Sequence, residues 1–151
     1  SLLHDIVKLL DRRLPRLALF DKVCAQEDTP DGHVLRLLHY TTLPIEDGIE
    51  LGQFHIDRDF LTIHVAESHP GLILRTTLGD VLYRAQAGMA LAFFGQKAES
   101  CTNGALKAME HGIVAVKNGG GSTAQETRRS IVFFSHIPDQ PIHGHSPAAS
   151  R

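Results

Sequence analysis

The 151-residue sequence has few cysteines and no long apolar run. These two features argue against a disulfide-dependent secreted scaffold and against a membrane-spanning protein. The two cysteines, Cys24 and Cys101, lie far apart, whereas secreted scaffolds that depend on disulfides carry several at short spacings. No apolar segment reaches the roughly 18 residues that a membrane-spanning helix needs, and no signal-peptide pattern opens the chain. These absences predict a cytoplasmic protein that does not contact a membrane.

Charge of one sign is also scarce. Lys and Arg number 15 against 17 Asp and Glu, so the formal net charge is −2. The densest basic groups, Arg12-Arg13 with Arg16 and Arg128-Arg129, are too small for a nucleic-acid-binding surface. The composition, 42% hydrophobic and 21% charged, is ordinary for a soluble globular domain of this length. We therefore expect one domain, with no nucleic acid as a partner.

The first 20 residues have the apolar spacing of a helix. Apolar residues recur at intervals of three and four positions, at Leu2, Leu3, Ile6, Leu9, Leu10 and Leu14. Pro15 is expected to end or kink the helix because proline cannot donate the backbone hydrogen bond. The pattern predicts an N-terminal helix over residues 1–20.

Residues 33–138 consist of short runs rich in β-branched and aromatic residues. Turn dipeptides separate seven such runs, which are HVLRLLHYTTL, QFHIDRDFLTIHV, GLILRTT, DVLYRAQ, GMALAFFG, HGIVAVKN and RRSIVFFSHI. Because most follow one another without an intervening helix, they favour an antiparallel sandwich or barrel. The segment ALKAME fits either a helix or a bend, NGGGSTAQET is typical of a flexible hairpin loop, and residues 139–151 are expected to form a flexible tail.

A histidine and a carboxylate share one face of the second run. Side chains alternate along a strand, so His55 and Asp57 point the same way. His111 opens a later apolar run, and two histidines with one carboxylate are the facial ligand set of non-haem Fe(II) oxygenases. Arg128 and Ser130, again two residues apart, could bind a carboxylate. The His55–Asp57 pair alone is a weak signal, and a hydrogen-bonded surface pair is its alternative explanation.

In their order, these segments resemble the Fe(II)- and 2-oxoglutarate-dependent oxygenases, in particular the isopenicillin N synthase-like, or plant iron/ascorbate-type, branch. The matching segments are LRLLHY, HIDRDFLT, GLI, GQKAESCTNGALKAMEHGIV and RRSIVFF, which correspond to the family's LRLNxY, HxD…LT, GLQ, GD…TNGxxKSxxHRV and RxSxxFF. The resemblance covers roughly residues 33–138. HxD is common, but the three motifs HxD, TNGxxK…H and RxSxxFF together are specific.

The resemblance implies a mainly β fold, the double-stranded β-helix or jelly roll, over residues 33–138 after the N-terminal helix. It implies that His55, Asp57 and His111 bind Fe(II), and that Arg128 and Ser130 hold the distal carboxylate of 2-oxoglutarate. Tyr40 matches a tyrosine that helps to bind this co-substrate, with simple core packing as its alternative role. The implied activity is a dioxygenase reaction with O2 that hydroxylates or desaturates a small-molecule substrate, with release of succinate and CO2. Ascorbate is a further cofactor of this branch.

Several positions depart from the family pattern. Leu38 replaces the asparagine of the first motif, Gln96 replaces an acidic residue, and Gly112 replaces the arginine after the distal histidine. The family also carries a larger N-terminal helical region. Two alternatives therefore stay open: an oxidase of the same branch that uses no 2-oxoglutarate, and a non-catalytic β-helix domain that binds a ligand or partner. His64 and His69 match no ligand position and are expected to be structural.

Overall fold

The structure, a computed structural model, describes residues 1–30, 32–41, 47–116 and 127–138. Within these ranges the α-helices are α1 (Leu2–Arg13), α2 (Leu19–Cys24) and α3 (Gln96–Cys101), and Pro15–Leu17 forms a 3-10 turn. The strands are β1 (Val34–Thr41), β2 (Glu50–Ile56), β3 (Leu61–Glu67), β4 (Leu72–Thr76), β5 (Gly79–Leu82), β6 (Leu91–Phe94), β7 (Glu110–Val114) and β8 (Thr127–Ser135). None of the helices in these ranges has the length and apolar character to cross a membrane. Residues 118–126 of the predicted loop and the predicted tail, 139–151, lie outside the described residues.

The N-terminal region contains two helices rather than the single one predicted over residues 1–20. The Ser1 hydroxyl accepts a hydrogen bond from the backbone N–H of His4 and caps α1. Helix α1 ends before Pro15 as expected, but the chain then turns and α2 begins. The Asp11 carboxylate accepts hydrogen bonds from the first two backbone N–H groups of α2, those of Leu19 and Phe20, at 2.7 and 2.9 Å. This long-range cap explains a helix that the local apolar spacing did not reveal.

Two four-stranded antiparallel sheets form the body of the fold. Their strand orders are β1-β8-β3-β6 and β2-β7-β4-β5. The seven predicted runs give eight strands because QFHIDRDFLTIHV bends after Ile56 and resumes at Leu61, so its halves lie in different sheets. The segment ALKAME takes the predicted bend rather than a helix, and α3 lies just before it. The mainly β, jelly-roll architecture is confirmed.

Successive side chains of β3 face alternately the hydrophobic core and the candidate site. Leu61 and Ile63 pack, together with Phe60, against Val7 of α1 and Val23 of α2. Thr62 and His64 point the opposite way, toward the space between the sheets, although all four strand residues are buried. A second apolar cluster, built on Leu72, Phe93 and Ile113, joins the two sheets. Strand β3 therefore presents polar side chains to a space that apolar side chains also line.

Candidate metal centre and its neighbouring cation

The three predicted metal ligands converge in the structure. His55 at the end of β2 lies directly opposite His111 of β7 in the antiparallel register, and Asp57 follows one residue after β2 ends. Nε2 of His55 is 3.2 Å from Oδ1 of Asp57, and Nε2 of His111 is 3.6 Å from Oδ2 of the same carboxylate. All three donor atoms lie within 4.8 Å of one another. Adjacent strands thus provide two imidazoles and one carboxylate on one side of a common point.

Backbone hydrogen bonds orient both imidazole rings. Nδ1 of His55 lies 2.7 Å from the carbonyl oxygen of Gln53, and Nδ1 of His111 lies 3.1 Å from that of Met109. A carbonyl oxygen can only accept, so each Nδ1 carries the hydrogen and each Nε2 keeps its lone pair. This tautomer directs both Nε2 atoms toward Asp57. The donor set fits a divalent transition metal, with a facial group of two imidazoles and one carboxylate.

The site favours neutral histidine at the buried position. Burial lowers the pKa of His111, and the nearby His55 and His64 act in the same direction against the opposing effect of Asp57. A neutral imidazole is the form that binds a metal. His111 therefore requires no loss of a proton at neutral pH before it can act as a ligand.

Thr62 connects the candidate ligand Asp57 to a second, deeply buried carboxyl group. Its hydroxyl oxygen lies 2.5 Å from Oδ2 of Asp57 and 3.0 Å from Oδ2 of Asp59. Burial, followed by the charge of Asp57, raises the pKa of Asp59 to about 7. A hydroxyl carries one hydrogen, so both contacts are satisfied when protonated Asp59 donates to Thr62 and Thr62 donates to Asp57. Asp59 is not part of the three-donor cluster.

Arg128, the predicted anchor for a co-substrate, is buried and already bound to a carboxylate of the chain. Its Nη2 donates to Oε2 of Glu67 over 2.7 Å, and the two side chains are only 3% and 2% exposed. Its Nε donates to the backbone oxygen of His69 over 3.2 Å, and Nη1 contacts Oγ of Ser130 at 3.4 Å. Arg129 points outward and is exposed, as alternation predicts.

Glu67 has a second neighbour, His64, on the same strand. Nε2 of His64 lies 3.3 Å from Oε2 of Glu67. Burial opposes ionisation of Glu67, but the contacts with His64 and Arg128 outweigh it and hold the pKa of this carboxyl below its ordinary value. Glu67 is thus an ionised carboxylate within a buried cluster. Sequence reasoning did not identify it, since no local pattern links residue 67 to residue 128.

A cavity of about 240 Å³ between the sheets joins the two parts of the site. Its polar wall includes the three candidate ligands together with Tyr40, Thr62, His64 and Ser130, and Arg36 contributes a guanidinium that lies over the ring of Phe134. Its apolar wall is formed by Leu38, Leu72, Phe93, Ile113, Val132 and Phe134. His64, expected to be structural, therefore faces the cavity; Arg36 was not identified from the sequence.

Two glycines show how side chains are accommodated near the site. A Cβ on Gly71 would lie 2.9 Å from Nε of Arg128, so this glycine leaves room for the arginine. A Cβ on Gly112, where the family has arginine, would lie 2.8 Å from the ring of Phe54. The guanidinium of Arg75 stacks on the Phe54 ring, 4.1 Å from its centre. Phe54 and Arg75 thus fill the space beside β7 that Gly112 leaves.

A second group of possible metal donors lies at the helices. His4, Cys24 and Glu27 have donor atoms within 4.8 Å of one another. Nε2 of His4 and Oε1 of Glu27 are 2.5 Å apart and form a hydrogen bond between α1 and the turn after α2. Because this pair satisfies two of the three donors and lies at the protein surface, we attribute the cluster to helix packing.

Comparison with solved structures identifies the same architecture in known proteins. The dioxygenase for auxin oxidation of rice is 24% identical with a TM-score of 0.62, and the match covers 75% of this chain and 36% of that protein. The Arabidopsis thaliana dioxygenase for auxin oxidation 1, solved with 2-oxoglutarate, is 23% identical with a TM-score of 0.61 over 71% and 39%. A Caulobacter crescentus protein described as a candidate 2OG-Fe(II) oxygenase is 28% identical with a TM-score of 0.56 over 71% and 34%.

The present chain spans between about a third and two fifths of the length of these proteins. No protein-family model matches the sequence, and no curated protein matches it. The predicted membership of the isopenicillin N synthase-like branch stays a prediction. At the coarser level, these structures confirm the predicted relation to the Fe(II)- and 2-oxoglutarate-dependent oxygenase superfamily, and the chain carries the double-stranded β-helix fold of that superfamily.

Proposed function

We propose that this chain is the catalytic β-helix domain of an Fe(II)- and 2-oxoglutarate-dependent dioxygenase. The reaction would oxidise a small organic substrate with O2, by hydroxylation or desaturation, and release succinate and CO2. The observation that carries the proposal is the convergence of His55, Asp57 and His111 at the wall of a cavity between the two sheets.

The described residues support specific roles. His55, Asp57 and His111 would hold the metal, and bound iron would supply the redox chemistry with O2. Tyr40 and Ser130 present hydroxyl groups at the cavity wall beside Arg128, where a carboxylate of the co-substrate could bind. Thr62 fixes the Asp57 carboxylate, and apolar side chains form the rest of the cavity wall. Within the described residues we assign no side chain as a general base.

The test starts with the purified protein under anaerobic conditions. Addition of Fe(II) and 2-oxoglutarate should produce a visible charge-transfer band, and admission of O2 should then yield succinate. A His111→Ala variant should lose both signals, because one of three ligands is removed. The proposal fails if the wild-type protein binds iron but produces neither the band nor succinate, and the ligand assignment fails if His111→Ala retains full turnover.

One observation favours a second candidate, the oxidase of the same fold that uses no 2-oxoglutarate. Arg128 is already paired with Glu67, so the predicted co-substrate anchor has no net charge to offer. The same experiment separates the two functions, since the oxidase would consume O2 in the presence of its substrate without 2-oxoglutarate and would form no succinate.

A further inference from the structure

The carboxylate that occupies the Arg128 guanidinium belongs to the chain itself. Glu67 lies on β3, Arg128 on β8, and the two strands pair in sheet β1-β8-β3-β6. Their side chains meet at 2.7 Å in an environment where both are at least 97% buried. The guanidinium of Arg128 therefore already binds a carboxylate of the protein, which is the same group that a bound diacid would offer.

Most of the hydrogen-bonding capacity of Arg128 is in use. Nε donates to the His69 backbone oxygen, Nη2 to Glu67, and Nη1 faces Ser130. Bidentate binding of a carboxylate uses two parallel N–H groups of one edge of the guanidinium. The edge that includes Nη2 cannot receive a second carboxylate in this way while Glu67 holds it.

The electrostatics lead to the same result. The Arg128–Glu67 pair has no net charge, and an arriving carboxylate would approach the negative charge of Glu67 at a site shielded from water. Among the described residues, Arg128 does not line the cavity, whereas Tyr40, His64 and Ser130 do. A diacid in the cavity would thus meet hydroxyl groups, an imidazole and the guanidinium of Arg36 before it could reach the guanidinium of Arg128.

We propose that Glu67 is an internal occupant of the co-substrate anchor and that it sets which 2-oxo acids the site binds. The distal carboxylate of a 2-oxo diacid must displace Glu67 from Nη2 of Arg128, so this carboxylate adds little to affinity in the wild-type protein. A 2-oxo acid without a distal carboxylate pays no such cost. The inference rests on the proposed function, because it assumes that a 2-oxo acid binds at the candidate metal centre.

The experiment compares two ligands that share one chelating group. N-oxalylglycine carries a distal carboxylate, and N-methyloxamate has the same oxamate group without it. Their dissociation constants are measured by calorimetry on the manganese-loaded protein without O2, for wild type, Glu67→Gln and Glu67→Asp. In Glu67→Gln, N-oxalylglycine should bind about tenfold to a hundredfold more tightly, the effect of a charge-assisted hydrogen bond, whereas the affinity for N-methyloxamate should not change.

Two further variants make the result specific. Glu67→Asp keeps the charge but withdraws the carboxylate by one methylene. It should therefore tighten N-oxalylglycine binding to a smaller extent than Glu67→Gln. It is the test variant if Glu67→Gln does not fold. Asp80→Asn is the matched control, because it removes a carboxylate from the exposed ion pair with Arg75. It should leave both dissociation constants unchanged.

The possible outcomes separate the two proposals. Equal N-oxalylglycine affinity in wild type and the Glu67 variants would overturn the role of Glu67 and leave the proposed function intact. Weaker binding in the Glu67 variants would also overturn it, because Glu67 would then orient Arg128 for the ligand. If all variants bind manganese but neither oxamate ligand, the proposed function fails, and the inference fails with it.

Discussion

The Thr62 hydroxyl lies 2.5 Å from Oδ2 of Asp57, the carboxylate between the two imidazoles of the candidate metal centre. Thr62 is 1% exposed, so water does not compete for this bond. The bond restricts the rotation of the carboxylate. A residue of one sheet thus orients a ligand that follows a strand of the other sheet.

The first prediction concerns this contact. Thr62→Val preserves the shape of the side chain but removes the hydroxyl, so we expect metal affinity to fall about 10- to 100-fold, as for other groups that orient a ligand. Titration with Co(II), followed by absorbance, measures the change. Thr62→Ser retains the hydroxyl and is the control. An unchanged affinity in Thr62→Val would show that Asp57 is oriented without this bond.

The second prediction concerns metal binding and stability. Since the three donors belong to the folded state, a metal at 100 times its dissociation constant should raise the free energy of unfolding by about 2.7 kcal/mol. Thermal unfolding with and without Co(II) measures this increase. His111→Ala should abolish it, whereas His39→Ala, on the exposed side of β1, and Cys24→Ser, in the helical cluster, should keep it. Loss of the increase in Cys24→Ser instead would place the metal at the helices.

The third prediction concerns the pH dependence of the Glu67–Arg128 pair. The pKa of Glu67 in the folded protein is below its ordinary value, so the folded state binds fewer protons than the unfolded state in acid. The contribution of Glu67 is therefore complete above the unfolded pKa, near 4.5, and is lost as pH falls through the lower folded pKa. Glu67→Gln should be roughly 3 kcal/mol less stable than wild type at pH 7, because it leaves a buried guanidinium without its counter-charge.

Urea unfolding of both proteins between pH 3 and pH 7 measures this difference in free energy. The difference should shrink below pH 4.5, and Asp80→Asn, which affects an exposed pair, should show a much smaller difference at every pH. A Glu67→Gln deficit that stays constant down to pH 3 would contradict ionisation of Glu67 as its source.

The fourth prediction concerns Gly112, a glycine of β7 that packs against the Phe54 ring. A Cβ at this position lies 2.8 Å from the Phe54 ring, so Gly112→Ala should lower the free energy of unfolding by about 1–3 kcal/mol, the usual cost of overpacking. Gly52→Ala is the control in the neighbouring strand β2, because its nearest contact, Ile113, is at an ordinary 3.4 Å. Chemical unfolding of the two variants measures the difference. Equal stability of the two would show that Phe54 moves aside without cost.

Some of this arrangement could be read from local patterns. Alternation along a strand placed His55 and Asp57 on one side and separated Arg128 from Arg129, because these relations depend only on residues next to each other in the chain. The seven runs predicted strands because their β-branched and aromatic content is also a property of each local segment. The spacing of Leu2 to Leu14 predicted α1, and Pro15 its end.

The contacts that require distant segments could not be read in this way. Glu67 on Arg128, Asp11 on the first turn of α2 and Phe54 over Gly112 each join residues whose proximity depends on sheet register or on helix packing. The sequence therefore predicted a set of candidate metal ligands and the segments that contain the strands. Tertiary packing decided that the predicted anchor arginine already has a carboxylate partner, because burial of a guanidinium away from water requires a counter-charge from wherever the fold brings one.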